Sequence, residues 1–237
     1  MKISVIIPAY NEELKIAKTV KEIVDYFEAR PLLTSEIIVV DDGSVDQTAK
    51  IVDELNQPSV RLLKHEHNQG KGAAVKSGML KAEGDAYLFL DADGSTKINE
   101  LDKFLPYLEQ FDIVIASRAL PESQITIHQS RLREICGIFG NYFFRFIWSL
   151  PFKDTQCGFK LFNNKARELF IDLKSVGWGF DMELLWRAAK KQLRIKELPV
   201  TWQHYKSSSF NSKAYFQVLV EVLKIRLIRL RASLRRD

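Results

Sequence analysis

Short, largely apolar runs alternate with amphipathic helical patterns along the first half of the chain, and this alternation constrains the fold more than any other feature. The apolar runs cover residues 3–7, 36–40, 60–63, 85–90 and 112–116. Runs with so few polar positions predict strands that are buried on both faces. Because helical patterns separate them, the sequence predicts an α/β fold with a mainly parallel sheet covered by helices on both sides.

Helix starts are predicted from capping patterns after the first two runs. An apolar stripe at helical spacing follows Asn11 and consists of Leu14, Ala17, Val20, Val24 and Phe27. Asn11 is therefore predicted to cap this helix. Ser44 and Gln47 have the spacing of a capping box, which predicts that a second helix begins at Ser44. A third helix is predicted over residues 72–83.

The second half of the chain lacks this regular alternation. Its predicted elements are an aromatic-rich helix at 130–150, strands at 158–162 and 194–200, a helix at 179–191 and a long helix at 213–235. No internal repeat and no linker composition separates these elements from the first half. We therefore predict one domain over residues 1–212, with residues 213–237 as an appended basic amphipathic helix.

The composition excludes several classes of protein. With 237 residues, of which 46% are hydrophobic and 27% charged, the chain is neither disordered nor collagen-like. Its two cysteines, Cys136 and Cys157, are too few for a disulfide framework, which favours a reducing compartment. The chain opens on an apolar run without the layout of a signal peptide, and no stretch reaches the roughly 18–20 apolar residues of a membrane span. We expect a cytoplasmic protein that is at most peripheral on a membrane.

Positive charge is concentrated at the C-terminus. The formal net charge is +5, and residues 224–237 contain six basic residues and one acid. Aliphatic residues interleave with the basic ones, which predicts an amphipathic helix that lies on an anionic membrane surface. The alternative is a helix whose apolar side packs on the core. Nucleic acid is not an expected partner, because the basic segment lacks interleaved aromatic residues and the rest of the chain is close to neutral.

Polar clusters follow four of the predicted strands at the point where each strand ends. They are Pro8 to Glu12, Asp41 to Ser44, Asp91 to Ser95, and Ser117 with Arg118. In open parallel sheets, ligands bind beyond the carboxyl ends of the strands. The four clusters therefore predict one ligand site at a single edge of the sheet.

Asp91 and Asp93 lie two residues apart, directly after a predicted strand. Their carboxylate oxygens suit Mg²⁺ or Mn²⁺, hard cations that also take phosphate oxygens and would neutralise a diphosphate leaving group. The alternative is a solvated turn, since two aspartates at this spacing are common by chance. An EF-hand is excluded, because Gly94 occupies the fourth loop position whereas that loop needs its glycine at the sixth.

Two further clusters offer groups that suit a nucleoside. Asp41 and Asp42 supply carboxylates that accept hydrogen bonds from a base or a ribose, with a helix cap as the alternative for either. Pro8 to Glu12 adds an aromatic ring and a carboxylate, with a plain strand-to-helix turn as the alternative. Residues 67–72 form neither a P-loop nor a dinucleotide fingerprint. Lys71 is therefore expected either to contact a phosphate or sugar or to lie on a surface loop.

The segments from Val5 to Glu12, Val40 to Ser44 and Asp91 to Asp93 resemble the signature of the family-2 glycosyltransferases. That resemblance implies a nucleotide-diphospho-sugar transferase fold of the GT-A type. Four further segments, residues 68–72, 91–97, 154–162 and 178–185, resemble more narrowly the dolichyl-phosphate β-glucosyltransferases. The similarity extends from residue 3 to about residue 205.

The resemblance implies a role for each matching position. The uridine of a UDP-sugar would be surrounded by Pro8, Tyr10, Glu12, Val40, Asp41 and Asp42. The nucleotide-sugar site would be completed by Lys71, Asp91 and Ala92, and the metal ligands would be Asp91, Asp93 and Ser95. Arg118, with Arg131 or Arg133, would bind the phosphate of a lipid acceptor, because a guanidinium fork suits that contact. Helix-surface charge is the alternative for Arg131 and Arg133.

Asp181 and Glu183 lie where inverting relatives carry a catalytic carboxylate. A phosphate monoester is already ionised near pH 7, so a phosphate acceptor needs no strong general base. Asp181 would therefore act as a base toward a sugar hydroxyl, but would position sugar or metal if the acceptor were a phosphate. An ordinary acid at a helix start is the alternative. With Asp181, the resemblance makes Asp93 and Arg118 the expected catalytic residues.

The expected activity is a metal-dependent, inverting transfer of a hexose to a polyprenyl phosphate of the dolichyl type at the cytoplasmic face of a membrane. Glucose from UDP-glucose is the donor that the resemblance favours. The alternatives are transfer to a saccharide or lipid hydroxyl, and a non-catalytic module that binds nucleotide sugars. In one departure, relatives have a Ser-Lys pair after the last strand, whereas this chain reads Lys206 to Ser209, so Lys206 or Lys213 would have to substitute.

Overall fold

A computed structural model describes residues 1–127 and 150–203. Its strands are β1 (Lys2–Ala9), β2 (Thr34–Asp41), β3 (Val60–Lys64), β4 (Ala86–Leu90), β5 (Ile113–Ser117), β6 (Gln124–Ile127), β7 (Phe159–Asn163), β8 (Ile195–Pro199) and β9 (Thr201–Gln203). Its helices are α1 (Ile16–Glu28), α2 (Thr48–Glu54), α3 (Lys71–Lys81), α4 (Leu101–Phe104), α5 (Asn164–Arg167) and α6 (Phe180–Lys190), with 3₁₀ turns at Ile98–Glu100, Leu105–Glu109 and Glu168–Phe170. The predicted helix at 213–235 and all but the last residue of the one at 130–150 lie outside the described residues, as does the predicted boundary at residue 212.

The apolar runs form the central strands, as predicted. Seven strands make one sheet in the order β3-β2-β1-β4-β7-β5-β8. The pairs β1–β2, β1–β4, β2–β3 and β5–β8 are parallel, so the carboxyl ends of β1, β2 and β4 meet at one edge. In this register Val5 of β1 lies between Ile37 of β2 and Leu88 of β4, and all three are fully buried.

Helices cover both faces of the sheet, because successive strand residues point to opposite sides. Ile6 faces a core that it shares with Val75 of α3 and Leu184 of α6. Val5 and Ile7 face the other core, which includes Val20 of α1. Two apolar layers of this kind leave the sheet edge as the place where polar groups can reach solvent.

Strand β7 lies antiparallel between β4 and β5 and breaks the parallel order. Its first residue, Phe159, pairs with Leu90, the last residue of β4. Because the two strands run in opposite directions, the residues that precede β7 lie at the same edge as those that follow β4. The strand itself was predicted from the sequence, but this orientation was not.

Both predicted helix caps are wrong. Helix α1 begins at Ile16, and Asn11 instead adopts a left-handed conformation with φ 55°. Its side-chain oxygen accepts a hydrogen bond from the Val45 backbone at 3.0 Å. The Ser44 hydroxyl in turn accepts one from the Asn11 backbone at 2.9 Å. The loops after β1 and β2 therefore use these polar groups to bind each other across the sheet edge.

Helices α1 and α2 begin several residues after their predicted starts, which changes the capping of α2 and the buried face of α1. Helix α2 begins at Thr48, and the Asp46 carboxylate accepts the Thr48 backbone hydrogen bond at 2.9 Å. Leu14, which the periodicity predicted on the buried stripe of α1, is 84% exposed because it precedes that helix by two residues. The buried stripe is instead formed by Ile16, Val20, Ile23, Val24 and Phe27, together with Thr19 and Tyr26.

A second, small sheet was not predicted from the sequence. Strands β6 and β9 pair in parallel, and Trp202 of β9 also forms an antiparallel bridge with Thr96. This pairing places the Trp202 ring 5.5 Å from the guanidinium carbon of Arg118. The small sheet therefore flanks the edge at which β4 and β5 end. Within residues 1–127 and 150–203, no helix has both the length and the apolar character needed to cross a bilayer.

Helix α3 packs against the sheet at a glycine, which makes the contact testable. A Cβ at Gly78 would lie 2.5 Å from Ile6 Cγ2 and 3.1 Å from Val40 Cγ2. Alanine is intrinsically about 1 kcal/mol better than glycine inside a helix, whereas overpacking costs roughly 1–3 kcal/mol. We expect Gly78→Ala to lower the free energy of unfolding by about 1 kcal/mol, measured by urea denaturation.

Lys81→Ala is the matched control, because Lys81 is exposed in the same helix. Its free energy of unfolding should stay within about 0.5 kcal/mol of the unsubstituted protein. If Gly78→Ala were more stable than the unsubstituted chain, the close contact between α3 and the sheet would be refuted.

Candidate active site

Acidic and basic side chains from separate elements meet at the edge where β1, β2, β4 and β5 end. Asp91 and Asp93 follow β4, Asp41 ends β2, and Arg118 follows β5. Asp154, which precedes β7, reaches the same edge because that strand is antiparallel. The predicted convergence of four strand ends is confirmed, and β7 adds a fifth segment to it.

Asp91 is held from two sides. Its backbone N–H donates to the Gly158 carbonyl at 3.0 Å, and its Oδ1 lies 2.7 Å from the ammonium of Lys71. Gly158 lies so close that a Cβ at that position would overlap the Asp91 carboxylate. A glycine is therefore required beside this acid, and Lys71 fixes the orientation of the carboxylate.

Lys71 is the first residue of α3 and is a site residue rather than a flexible surface lysine. Its side chain is 15% exposed, and its ammonium lies 4.7 Å from the Trp178 ring centroid. Burial opposes the charged form, but the carboxylates of Asp91 and Asp181 outweigh it and raise the pKa of Lys71. The lysine therefore carries a positive charge into the centre of the site.

Asp93 and Ser95 form a tight turn after Asp91. The Asp93 Oδ1 accepts a hydrogen bond from the Ser95 backbone at 2.9 Å, and Gly94 between them has φ 66°. Asp91 and Asp93 are half-buried, whereas Ser95 is 5% exposed. Within the described residues, no group of three or more His, Cys, Asp or Glu side chains forms a cage for a metal ion. Two carboxylates fit Mg²⁺ or Mn²⁺ when a ligand phosphate and water supply the remaining oxygens.

Tyr10 and Glu12 are held where the sequence predicts a nucleoside. Tyr10 is 39% exposed, and the Glu12 backbone N–H donates to the Thr48 hydroxyl at 2.8 Å. Burial raises the pKa of Glu12, Lys15 lowers it, and the nearby Asp93 and Asp91 carboxylates raise it further. Glu12 therefore shares an electrostatic environment with the paired aspartates.

Three of the residues predicted to bind the nucleotide also make contacts within the protein. Val40 is completely buried in the core beneath α3, so its side chain is closed to a ligand. Pro8 pairs in register with Val40 inside the sheet. The Ala92 carbonyl accepts the Thr19 hydroxyl at 2.8 Å, and Ala92 is buried. At these three positions only main-chain atoms and the Pro8 ring are available to a ligand. Contact between these atoms and a nucleotide stays a prediction.

The neighbouring aspartates Asp41 and Asp42 differ in what they bind. Asp42 Oδ1 lies 2.7 Å from His65 Nδ1 and 3.0 Å from the Gln69 backbone nitrogen, and Oδ2 accepts from the Gly70 backbone at 2.8 Å. Asp41 accepts one long hydrogen bond, 3.3 Å from the Ser44 nitrogen. Asp42 therefore anchors the loop that leads to Lys71, and Asp41 is the acid with spare acceptor capacity for a nucleoside.

Arg118 forms a bidentate ion pair with Asp154. The Nε–Oδ2 distance is 2.7 Å and the Nη2–Oδ1 distance is 3.0 Å. Burial opposes ionisation of Asp154, but Arg118 overcomes it and lowers the pKa of that carboxyl to about 2. Among the described residues no acceptor lies on Nη1, which leaves that nitrogen for an anionic ligand. The other predicted phosphate-binding residues, Arg131 and Arg133, lie outside the described residues.

Asp181 and Glu183 follow Gly179 at the start of α6 and face different partners. Lys160 of β7, completely buried, places its ammonium 2.6 Å from Asp181 Oδ1. Burial raises the pKa of Asp181, and Lys160 and Lys71 oppose that rise. Glu183 is fully buried and accepts hydrogen bonds from the Ser175 backbone at 2.7 Å and from Arg187 at 2.8 Å. Asp181 therefore belongs to the site, and Glu183 holds the loop before α6.

The sequence did not identify Lys160 and Asp154 as site residues, although both lie in residues 154–162, one of the segments that carry the family resemblance. One signal was present: a lysine inside the apolar run from Phe159 to Phe162 needs an acidic partner if the run is a buried strand. The partner could not be identified without the fold, because Asp181 lies 21 residues away in sequence. Lys206 and Lys213 lie outside the described residues.

Comparison with known proteins gives concordant similarities. The family model described as glycosyl transferase family 2 matches residues 4–170. A dolichyl-phosphate β-glucosyltransferase from Trichomonas vaginalis is 36% identical over 237 residues, which is 94% of this chain and 72% of the relative. The Saccharomyces cerevisiae and Homo sapiens proteins of that name are each 35% identical, over 87% of this chain and 68% and 69% of their own lengths.

Solved structures with the same fold are more distant in sequence. Mannosyl-3-phosphoglycerate synthase from Rubrobacter xylanophilus has a TM-score of 0.68 at 20% identity, covering 99% of this chain and 75% of its own. Glucosyl-3-phosphoglycerate synthase from Mycobacterium tuberculosis, in complex with Mn²⁺, UDP-glucose and glycerol 3-phosphate, has a TM-score of 0.64 at 21% identity, covering 94% and 79%. The predicted GT-A type of fold is confirmed.

The different hydrogen bonding of Asp41 and Asp42 predicts different effects of removing each carboxylate. Asp42→Ala should lower the free energy of unfolding by roughly 2–4 kcal/mol, because it leaves His65 and two backbone N–H groups without their acceptor. Asp41→Ala should cost about 1 kcal/mol, in line with one long hydrogen bond. Both values come from urea denaturation followed by circular dichroism. Equal losses for the two variants would contradict the anchoring role of Asp42.

Proposed function

The chain belongs to glycosyltransferase family 2, and on that basis we propose that it transfers glucose from UDP-glucose to dolichyl phosphate or a similar polyprenyl phosphate. That the chain is a glycosyltransferase follows from the family itself. The acceptor is proposed from relatives named dolichyl-phosphate β-glucosyltransferase, which match most of the chain. The observation that carries the proposal is the pair Asp91 and Asp93 at the end of β4, with Lys71 2.7 Å from the first of them.

The donor nucleotide is proposed to lie along the ends of β1 and β2. Tyr10 offers an exposed ring, and Asp41 has acceptor capacity for a base or a ribose. A protein of the same fold was crystallised with UDP-glucose, which supports a uridine nucleotide here. In this orientation the diphosphate extends toward Asp91, Asp93 and Lys71.

A divalent metal is proposed at Asp91 and Asp93, with Ser95 beside them. When bound, Mg²⁺ or Mn²⁺ neutralises the charge that develops on a departing diphosphate. The crystallisation of a structural neighbour with Mn²⁺ supports this assignment. Lys71 already neutralises Asp91 at 2.7 Å, so this lysine is expected to turn toward the diphosphate when a cation binds the carboxylate.

The transfer itself needs an anionic nucleophile and stabilisation of the departing UDP. An oxygen of the acceptor phosphate attacks C1 of the sugar, the bond from C1 to the UDP oxygen breaks with its electron pair, and the configuration at C1 inverts. Because a phosphate monoester is ionised near neutral pH, no proton has to be removed. Asp181, fixed by Lys160 at 2.6 Å, is proposed to orient the sugar, and Nη1 of Arg118 to bind the acceptor phosphate.

The acceptor is a lipid, so the reaction is proposed to occur at a membrane surface, on its cytoplasmic face. The sequence of residues 213–237 combines aliphatic and basic residues, which suits contact with anionic lipid. In this arrangement the nucleotide sugar comes from the aqueous side, and the prenyl chain stays in the bilayer.

The main test measures release of UDP and formation of the glucosyl lipid by the full chain, given UDP-glucose, a short-chain prenyl phosphate and Mg²⁺ or Mn²⁺. Asp93→Ala should lower kcat/KM by roughly 100-fold or more, because metal stabilisation of a leaving group is worth several kcal/mol. Asp53→Ala is the control, since Asp53 forms an exposed ion pair with Lys64. Undiminished turnover by Asp93→Ala, or full activity in EDTA, would refute the metal role.

A second experiment separates a phosphate acceptor from a hydroxyl acceptor. The unsubstituted enzyme should glucosylate the prenyl phosphate and leave the prenyl alcohol of the same length unmodified. Asp181→Asn should lower turnover of the phosphate by about tenfold or less, because no general base is needed, whereas loss of a general base costs roughly 10²–10⁴-fold. UDP binding and thermal melting of Asp181→Asn report whether the buried Lys160 still folds into place. Glucosylation of the alcohol would favour the alternative acceptor.

A further inference from the structure

The ammonium of Lys15 is buried without a hydrogen-bond acceptor. Among the side-chain nitrogen and oxygen atoms of residues 1–127 and 150–203, it is the buried one that lacks a partner. Its ion-pair partner is Glu12, whose Oε2 lies 3.4 Å away, too far and too poorly aligned for a good hydrogen bond. Leaving a buried charged donor unsatisfied is costly, so a group with this environment is expected to serve a ligand.

Lys15 lies beside the paired aspartates. It directly precedes α1, and the Thr19 backbone donates to the Lys15 carbonyl at 3.0 Å, as at helical spacing. The Thr19 side chain, one turn later, donates to the Ala92 carbonyl between Asp91 and Asp93. Residues four apart share a face of a helix, so Lys15 is on the face that meets this turn. Lys15 lowers the pKa of Glu12, and the Asp93 and Asp91 carboxylates raise it, so these four side chains lie within electrostatic range of one another.

The other cations of the site have a carboxylate oxygen at 2.6–2.7 Å, whereas the Glu12 oxygen lies 3.4 Å from the Lys15 ammonium. Lys71 lies 2.7 Å from Asp91, Arg118 lies 2.7 Å from Asp154, and Lys160 lies 2.6 Å from Asp181. Each of these charges is compensated before any ligand binds. Lys15 has the longest and weakest of these ion pairs, so its ammonium retains capacity for an anionic ligand.

A nucleoside diphosphate would bring two or three negative charges to an edge that already contains the carboxylates of Glu12, Asp91 and Asp93. We propose that Lys15 binds a phosphate oxygen of the nucleoside diphosphate and thereby supports the leaving group. This inference rests on the proposed function, because it takes the donor to be a nucleotide sugar. The ligand supplies the acceptor that the ammonium lacks in the protein.

The competing interpretation is that Lys15 only neutralises Glu12 and stabilises the fold. The two interpretations differ in ligand selectivity and in stability. A phosphate-binding lysine affects the binding of UDP but not of uridine, because uridine lacks the phosphate that the ammonium contacts. A structural lysine affects both ligands alike and lowers the melting temperature when removed.

The test is calorimetry on the full chain with UDP and Mg²⁺, and with uridine as the probe that lacks phosphate. Lys15→Met should weaken UDP binding by about 10–100-fold, the range for loss of a charge-assisted hydrogen bond, and should leave uridine binding unchanged. Lys15→Arg should retain UDP affinity within a few-fold. Lys18→Met is the matched control, because Lys18 lies in the first turn of α1, three residues after Lys15, with its side chain 70% exposed.

Equal UDP affinity in Lys15→Met and the unsubstituted chain would overturn the inference while leaving the proposed function intact. A parallel loss of UDP and uridine binding with a lower melting temperature would also overturn it, in favour of a structural lysine. If Lys15→Met does not fold, the Lys15→Gln variant gives the same comparison with a polar side chain. An unsubstituted chain that binds no UDP would instead refute the proposed function, and the inference with it.

Discussion

Compensation of buried charge at one edge of the sheet is the constraint on which the rest of the site depends. Asp154 and Asp181 lie where burial opposes ionisation, and these two carboxylates and that of Asp91 are each paired with a cation at 2.6–2.7 Å. A buried charge left alone would be neutralised or would destabilise the fold. The pairs therefore fix the orientation of the carboxylates before any substrate arrives, which is what preorganised electrostatic catalysis needs.

The antiparallel strand β7 makes this compensation possible. A fully parallel sheet would bring only the residues that follow each strand to the edge. By running the other way between β4 and β5, β7 delivers its preceding residues, Asp154 and Gly158, to the same place. Its own Lys160, completely buried in the strand, forms an ion pair with Asp181. One reversed strand therefore supplies an acid, a close backbone contact and a buried cation to a site otherwise built from parallel strands.

Under the proposed function, the ion pairs also explain how one edge can bind two anionic substrates. In the proposed arrangement, Lys71 and the metal site face the donor diphosphate, and Asp154 orients Arg118, whose Nη1 has no acceptor among residues 1–127 and 150–203, toward the acceptor. Acids and bases alternate across the edge, so a donor and an acceptor that repel each other are each met by a cation. The family assignment shows a glycosyltransferase, and the two phosphate-bearing substrates belong to the proposed function.

The sequence by itself determined the α/β fold, the sheet edge that carries the site, and most of its acids, because strand burial and the position of polar residues after strands are local patterns. It did not determine the helix starts after Asn11 and Ser44, since those side chains bind a neighbouring loop rather than their own helix. Only the tertiary structure decided that Asp42 anchors a loop, that Lys160 holds Asp181, and that the Lys15 ammonium is left without an acceptor. These outcomes depend on contacts between segments distant in sequence, and no local pattern records them.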